Sequence, residues 1–340
     1  MKLAIVLFNL GGPDSPQAVE PFLRNLFSDP AIIQLPKPLR VPLAWWIAKR
    51  RAPVARAIYD HIGGASPILG ETQKQARALE AALSNEQIQA KAFVAMRCWH
   101  PFSDGAALAV KQFAPDRIVL LPLYPQFSGT TTGSSFTDWD RAAKKAGLAA
   151  PTVRICCYPA NSGFIEAMAG RIRAALENPK PGLAYRLLLS AHGLPEQLVK
   201  NGDPYQSQVE QTAAALVNEL GIADVQICYQ SRVGPRKWLQ PSTESEIRRA
   251  GAEGKGVIVA PIAFVSEHSE TLVELDIEYA KLAREAGVPD YRRAATVGSD
   301  PTFIAGLAAL VGKAAAGCGI ENDQGRRICP PQSRKCPRAS

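Results

Sequence analysis

A histidine and a row of glutamates are the residues of this sequence best suited to move protons or handle a metal ion. Glu270, Glu274 and Glu278 recur at every fourth residue, and His268 comes just before the row. Carboxylates at that spacing share one side of a helix, where each pair repels by roughly a few tenths of a kcal/mol. His192 stands apart, at the end of a short apolar run. Periodicity alone favours an amphipathic helix that exposes acids to water, and a site for proton transfer or metal handling is the alternative.

Short apolar runs alternate with helical patterns along the chain, and this alternation predicts an α/β fold with parallel sheets flanked by helices. The predicted strands are Leu3–Phe8, Ala92–Met96, Ile118–Leu123, Val153–Cys157, Leu187–Leu189, Val225–Tyr229 and Val257–Phe264. Predicted helices between them include Thr72–Leu83, Gly163–Leu176 and Gln206–Leu220. His192 and Glu270 each follow a predicted strand. Open α/β sheets place ligands at that edge, so the two side chains are candidates for one site.

The acidic row itself is predicted to lie on an α-helix that follows the strand Val257–Phe264. Ser266 is the predicted N-cap, and Gly287 is the predicted C-terminal stop. On the side away from the glutamates the helix carries four apolar residues, Leu272, Leu275, Tyr279 and Leu282.

Length and charge exclude several classes of protein. A chain of 340 residues with 46% hydrophobic residues fits two domains of ordinary size better than one. No apolar run reaches the length of a membrane span, and Met1–Pro13 is predicted to be a buried strand rather than a signal peptide. The net charge of +8 comes without zinc-finger spacing or interleaved aromatic and basic residues, which disfavours nucleic acid as a partner. A cytoplasmic protein is expected.

The segment Leu35–Ile58 combines apolar and basic residues. Trp45 and Trp46 are adjacent, and Lys49–Arg51 is a basic cluster. Such a mixture suits a membrane interface or the apolar lip of a pocket. An irregular loop that caps the core is an equally good interpretation of the composition.

The seven cysteines do not predict a disulfide framework in a reducing compartment. Four of them lie in or beside apolar runs and are expected to be buried thiols: Cys98, Cys156, Cys157 and Cys228. The other three lie in a Gly-, Pro- and Arg-rich tail and are expected to be exposed: Cys318, Cys329 and Cys336.

Seven blocks of this sequence, taken together and in order, resemble the ferrochelatase family. Ferrochelatases insert ferrous iron into a porphyrin at the end of haem synthesis. The blocks lie between residues 9 and 279 and read NLGGPDS, IGGASPI, RCWHP, LYPQFSGTTTGSS, SAHGLP, QSRVGPRKWL and PIAFVSEHSETLVELDIEY. One block alone would be a weak signal, whereas seven in family order are a strong one.

The resemblance implies two Rossmann-like domains of the chelatase type, with the active site between them. The predicted division is 1–150 for an N-terminal domain with a hydrophobic lip, 151–300 for a C-terminal domain with the His/Glu site, and 301–340 for a C-terminal helix and Cys-containing extension. It also implies that His192 and Glu270 are the catalytic pair. Glu274 and Glu278 match an acidic line that continues from this pair, so the implied metal-handling residues are His192, Glu270, Glu274 and Glu278.

Further residues are carried over as contacts for the porphyrin or for the approaching metal. They are Leu10, Arg97, Tyr124, Trp238 and His268. The segment Leu35–Arg51 matches the hydrophobic lip, through which some family members contact a membrane. The implied localisation is therefore cytoplasmic with peripheral contact to the inner membrane surface.

The tail raises the question of a second metal group. Some ferrochelatases carry a [2Fe–2S] cluster on cysteines of a C-terminal extension plus one cysteine in the TTGSS-like loop. Cys318, Cys329 and Cys336 are the implied ligands here, but the loop position is Gly129. A cluster needs four ligands. The fourth could be Cys98, Cys156, Cys157 or Cys228, or the tail could hold no cluster.

The resemblance therefore implies a lyase that inserts Fe²⁺, its metal substrate, into protoporphyrin IX to form protohaem. The same chemistry on coproporphyrin is a close alternative, and the apolar lip favours protoporphyrin. A cobalt or nickel chelatase for another tetrapyrrole fits less well. A non-catalytic tetrapyrrole or haem carrier is the alternative from another class, but it would not need both His192 and Glu270.

Overall fold

A computed structural model describes residues 1–232, 234 and 236–338. Val233 and Pro235 of the QSRVGPRKWL block, and Ala339 and Ser340 of the predicted extension, lie outside the described residues. The strands are β1 (Lys2–Asn9), β2 (Gln89–Met96), β3 (Arg117–Pro122), β4 (Thr152–Cys157), β5 (Tyr185–His192), β6 (Val225–Gln230), β7 (Gly256–Pro261), β8 (Tyr291–Arg293) and β9 (Ile320–Asn322).

The α-helices are α1 (Val19–Phe27), α2 (Lys37–Asp60), α3 (Ile68–Leu83), α4 (Ser103–Phe113), α5 (Ser134–Ala146), α6 (Ser162–Ala175), α7 (Glu196–Lys200), α8 (Tyr205–Leu220), α9 (Thr243–Ala252), α10 (Tyr279–Glu285) and α11 (Pro301–Ala316). A 3₁₀ turn covers Pro16–Ala18, and π-helical segments cover Gly129–Gly133 and Glu270–Glu278.

The chain divides into two compact units. The first comprises Met1–Cys157 and Leu307–Arg326, and the second comprises Tyr158–Gly306 and Arg327–Ser340. Strand β4 therefore belongs to the first unit, and the residues after position 300 contribute to both. The division into domains at 1–150, 151–300 and 301–340 stays a prediction.

The first unit is built on a parallel sheet whose described strands have the order β2-β1-β3-β4-β9. Strand β1 is central, and residues Leu3–Phe8 are almost fully buried, as a strand covered on both faces requires. Phe8 packs edge-on against the rings of Phe136 and Trp139 on α5. The carboxyl ends of β1, β2 and β3 lie side by side at one edge of this sheet.

The second unit contains a parallel sheet whose described strands have the order β6-β5-β7-β8. Strands β5 and β7 are central and buried over most of their length. Their apolar side chains pack with Leu275, Tyr279 and Ala283 of the segment after β7. That packing fixes the acidic segment against the sheet.

Two local predictions are wrong, each for a physical reason. The acidic row is not on an α-helix capped by Ser266, because the chain forms a π-helix over Glu270–Glu278 and becomes α-helical only at Tyr279.

The segment Leu35–Ile58 is not an irregular loop, since α2 runs through it with Pro42 and Pro53 inside the helix. Buried alanines at 44, 48 and 52 let α2 pack closely against α1, which compensates for the missing amide donors of the prolines.

Candidate active site

The candidate site lies at the carboxyl edge of the second sheet. Strand β5 ends at His192, which pairs in register with Gln230 at the end of β6. Strand β7 ends at Pro261, and the chain then passes through His268 into the π-helix. Three adjacent strands thus deliver their last residues to one place, as expected for an open α/β sheet.

An imidazole–carboxylate pair is the central feature of this site. His192 Nδ1 lies 2.9 Å from Glu270 Oε2, and both side chains are partly exposed, 40% and 30%. A second imidazole approaches the same oxygen, because His268 Nε2 lies 3.7 Å from it. The ring of Phe264 packs against both histidine rings. The structure therefore brings together three of the predicted site residues.

The charges of the pair stabilise each other. Burial disfavours a charged imidazole, but the neighbouring Glu270 carboxylate outweighs burial and raises the pKa of His192 above its ordinary value. Burial likewise disfavours a charged carboxylate, yet His192 and His268 hold the pKa of Glu270 well below its ordinary value. Glu270 is therefore ionised at neutral pH and favours a protonated partner at His192.

Glu274 accepts hydrogen bonds from four donors. Oε1 accepts from the Ser231 amide at 2.8 Å and the Tyr279 hydroxyl at 2.9 Å. Oε2 accepts from Gln230 Nε2 at 3.1 Å and the Ser231 hydroxyl at 2.5 Å. Burial and the charge of Glu270 raise the pKa of Glu274 above its ordinary value. These donors, with the His192 contact of Glu270, compensate the repulsion predicted within the row.

The sequence reasoning missed the polar residues that support this site. Gln230 is buried; it accepts a bond from Ser190 Oγ at 2.8 Å and donates to the Glu270 carbonyl at 3.0 Å. The Tyr205 hydroxyl donates to the His192 carbonyl at 3.0 Å. Polar residues placed beside the end of a buried strand, such as Ser190 and Gln230, were the available sequence signal.

An arginine orders the segment that leads into the π-helix. Arg293 on β8 contacts both carboxylate oxygens of Glu267, at 2.9 and 3.1 Å, and also binds Asp276. The Thr296 amide donates to Glu267 as well. Arg293 lowers the pKa of Glu267, although burial opposes that effect. Glu267 thus holds the chain next to His268 rather than facing a ligand.

Trp238 lies beside the strand end that carries His192. It forms an isolated bridge with Pro195, and its ring lies close to Gly193. A Cβ added at Gly193 would stand 2.7 Å from the Gln230 carbonyl oxygen and 3.3 Å from the Trp238 ring. Only glycine fits there, which explains this residue of the SAHGLP block.

Three predicted porphyrin contacts lie in the first unit. Arg97 donates to Ser134 Oγ at 2.7 Å and pairs with buried Asp29 at 3.0 Å, beside a cavity of about 580 Å³. Leu10 packs on the cluster that contains Val19 and Phe22. Tyr124 packs against the core below α5, and burial raises its hydroxyl pKa. Their roles as porphyrin contacts stay predictions, as does that of Trp238.

The described residues contain no group of three or more His, Cys, Asp and Glu side chains arranged to hold a metal ion together. Glu278 is exposed on the π-helix. The metal-handling role of the acidic row therefore stays a prediction.

The prediction of three exposed tail cysteines is wrong. Cys318 is exposed, but Cys329 and Cys336 are buried. The tail folds onto α8, where Gln208 donates to Cys329 Sγ at 3.1 Å and Gln211 donates to the Ile328 carbonyl. A hydrogen bond from Cys329 and nearby arginines lower the pKa of Cys336 to about 6. The prediction that the other four cysteines are buried is confirmed.

Comparison with known proteins decides the family. The family model described as "Ferrochelatase" matches residues 2–315. The chain belongs to the ferrochelatase family. It is 57% identical over 311 residues to the ferrochelatase of Phenylobacterium zucineum, covering 91% of this chain and 90% of that protein. It is 56% identical over 313 residues to the ferrochelatase of Caulobacter vibrioides, covering 91% and 89%.

The fold comparison agrees with the predicted α/β class. The sirohydrochlorin chelatase SirB from Bacillus subtilis subspecies spizizenii, solved in complex with cobalt, matches with a TM-score of 0.54 at 13% identity, covering 93% of this chain and 96% of SirB. The prediction of parallel sheets flanked by helices is confirmed. This ferrochelatase is a metal-insertion enzyme of haem biosynthesis whose substrates are ferrous iron and a porphyrin.

Proposed function

We propose that this ferrochelatase acts on protoporphyrin IX, and that His192 and Glu270 are its catalytic pair. The observation that carries the proposal is the 2.9 Å contact between His192 Nδ1 and Glu270 Oε2 at the carboxyl edge of the sheet. Insertion of Fe²⁺ replaces two pyrrole N–H protons, so the reaction needs a group that removes protons from the ring nitrogens. An imidazole oriented by a carboxylate is suited to that task.

The tautomer of His192 follows from its partner. An ionised carboxylate only accepts hydrogen bonds, so in the neutral form of His192 Nδ1 carries the proton and Nε2 presents its lone pair. When Nε2 accepts a pyrrole proton, the ring becomes an imidazolium beside the Glu270 carboxylate, which stabilises the new charge. Tyr205 fixes the His192 backbone from behind through its bond to the carbonyl. His268 lies close enough to Glu270 to adjust the charge of the same carboxylate.

Wild-type protein assayed anaerobically with Fe²⁺, on protoporphyrin IX and coproporphyrin in parallel, tests this proposal. We expect the larger kcat/KM with protoporphyrin. It carries fewer carboxylates than coproporphyrin and is therefore the more apolar substrate, which suits a protein with the exposed apolar residues of α2 described below. A larger kcat/KM with coproporphyrin would move the protein to that alternative. Tight porphyrin binding without metal insertion would favour the carrier interpretation.

We further propose that α2 is a peripheral contact to the cytoplasmic membrane surface. It exposes apolar side chains beside cations: Leu39, Val41, Trp45, Trp46 and Val54 are exposed. Lys49 lies over the Trp45 ring and Arg50 lies near the Trp46 ring. Indole rings flanked by cations suit an anionic headgroup layer. Every helix of the part of the chain that the structure describes is too short or too polar to span a bilayer.

Vesicle binding tests this contact. The double variant Trp45→Asp/Trp46→Asp should bind vesicles of anionic phospholipid at least about tenfold more weakly, because burial of one large apolar side chain already contributes about 1.5–3 kcal/mol. Leu108→Asp on α4 is the matched control, since it removes an equally exposed apolar residue elsewhere. Equal binding of the double variant and the control would rule out α2 as the contact.

The [2Fe–2S] cluster predicted for the tail does not fit the arrangement of the described residues. Cys329 and Cys336 are neighbours in the second unit, and the lowered pKa of Cys336 favours a thiolate. A cluster needs four thiolate ligands, and the described residues contain no group of even three His, Cys, Asp and Glu side chains arranged to hold a metal. Analysis of iron and acid-labile sulfide in anaerobically purified protein tests this: stoichiometric sulfide that is lost in Cys329→Ser would establish a cluster, and sulfide-free protein would exclude it.

A further inference from the structure

Glu274 differs from Glu270 in how its carboxylate is used. A carboxylate offers about four lone-pair sites. The four donors around Glu274 occupy that number, through two bonds to each oxygen. His192 and His268 both approach Oε2 of Glu270, and among the described residues no hydrogen bond reaches its Oε1. Glu270 thus has capacity for a ligand, whereas Glu274 would have to release a donor first.

The donors to Glu274 come from two different elements. Ser231 and Gln230 lie at the end of β6, and Tyr279 begins α10. Ser231 has a φ of 62°, in the left-handed region that non-glycine residues rarely adopt. Its amide and its hydroxyl both donate to Glu274. The carboxylate therefore holds an unfavourable backbone conformation in place at the strand end.

The same contacts reach Glu270 through Gln230. The Gln230 amide group donates to Glu274 Oε2 and to the Glu270 carbonyl. Gln230 is also the register partner of His192 in the sheet. A change at Glu274 would therefore loosen the residue that ties the first turn of the π-helix to the strand end next to His192.

We propose that Glu274 is a positioning residue that holds Glu270 against His192, and that it is not a ligand for iron. This inference rests on the proposed catalytic role of the pair. It divides the acidic row by function: Glu270 acts at the porphyrin, and Glu274 braces the π-helix against β6. The row at every fourth residue is then not a continuous path of equivalent metal ligands.

A positioning role and an iron-ligand role of Glu274 predict different effects of substitution on Fe²⁺ affinity and on turnover. We expect Glu274→Gln to lower kcat about tenfold or more, in the range found when supporting hydrogen bonds around a metal site are removed. The dissociation constant for Fe²⁺, measured anaerobically by calorimetry on porphyrin-free protein, should stay within about twofold of wild type, as should the KM for Fe²⁺. Glu285→Gln removes an exposed carboxylate from the same segment and is the control for charge alone.

Tyr279→Phe separates a ligand role of Glu274 from a positioning role. It frees one lone pair of Glu274 without changing any charge, so an iron ligand at Glu274 would bind Fe²⁺ more tightly. A positioning role of Glu274 predicts unchanged Fe²⁺ affinity and a lower kcat. It also predicts no further loss of kcat when Tyr279→Phe is added to Glu274→Gln, because the effects of substitutions within one hydrogen-bond network are not additive.

Weakening of Fe²⁺ binding by tenfold or more in Glu274→Gln, or tighter binding in Tyr279→Phe, would overturn the inference. Unchanged Fe²⁺ binding with reduced kcat in both variants supports it. Fe²⁺ binding to porphyrin-free protein does not depend on turnover. The ligand question is therefore answered even if the wild-type assay shows no insertion, which would count against the proposed function separately.

Discussion

His192→Ala is expected to lower kcat for Fe²⁺ insertion into protoporphyrin by about 10²–10⁴-fold, the range for loss of a positioned general base. The variant removes the Nε2 lone pair that we assign to the pyrrole proton and leaves Glu270 without its imidazole partner. KM for the porphyrin should change much less, because the predicted porphyrin contacts Leu10, Tyr124 and Trp238 remain. Stopped-time anaerobic assays of haem formation measure both quantities.

Two further measurements sharpen this test. His61→Ala replaces an exposed histidine outside the site and should keep the wild-type kcat. Free imidazole added to the His192→Ala protein should restore part of the rate, since a small base can occupy the space of the missing ring. Normal turnover of His192→Ala without imidazole would show that the proton acceptor is another group. It would also remove the main prediction that distinguishes this enzyme from a non-catalytic tetrapyrrole carrier.

Glu270→Gln is expected to lower turnover and also to move its pH dependence. His192 accepts a proton only when neutral, so kcat/KM should fall as pH drops through the pKa of His192. Glu270 raises that pKa. Without the carboxylate charge the pKa should fall, and the acidic limb should shift to lower pH by about 1–3 units, the usual effect of one nearby opposite charge. The observable is the pH profile of kcat/KM between about pH 5 and 9.

The direction of the shift separates two roles for Glu270. A carboxylate that only stabilises imidazolium gives an acidic limb at lower pH and a rate reduced at every pH. If Glu270 itself were the base, the acidic limb would disappear in Glu270→Gln rather than move. Glu285→Gln should leave the limb in place, because that exposed carboxylate pairs with Lys281 away from the site.

The sequence by itself determined the fold class and the positions of the two residues of the proposed catalytic pair. Apolar runs bounded by polar strand ends are local features, so they predicted that His192 and Glu270 follow buried strands and meet at one sheet edge. The ordered blocks predicted the family, which the comparisons confirmed. In each case the evidence lies in neighbouring residues, whose meaning depends little on distant parts of the chain.

The tertiary structure decided what the acidic row does. Spacing at every fourth residue favours an α-helix, but the segment is a π-helix. Glu274 looks equivalent to Glu270 in the sequence, yet its donors Gln230 and Ser231 are about forty residues away. No local pattern encodes such partners.

Burial was decided in the same way at both ends of the chain. A stretch with two internal prolines became α2 because small residues allow it to pack against α1. The tail cysteines Cys329 and Cys336 became buried because Gln208 and Gln211 on α8 hold the tail. Composition predicts whether a segment favours solvent exposure or burial. Packing against an element that is distant in sequence determines whether the segment is in fact exposed or buried.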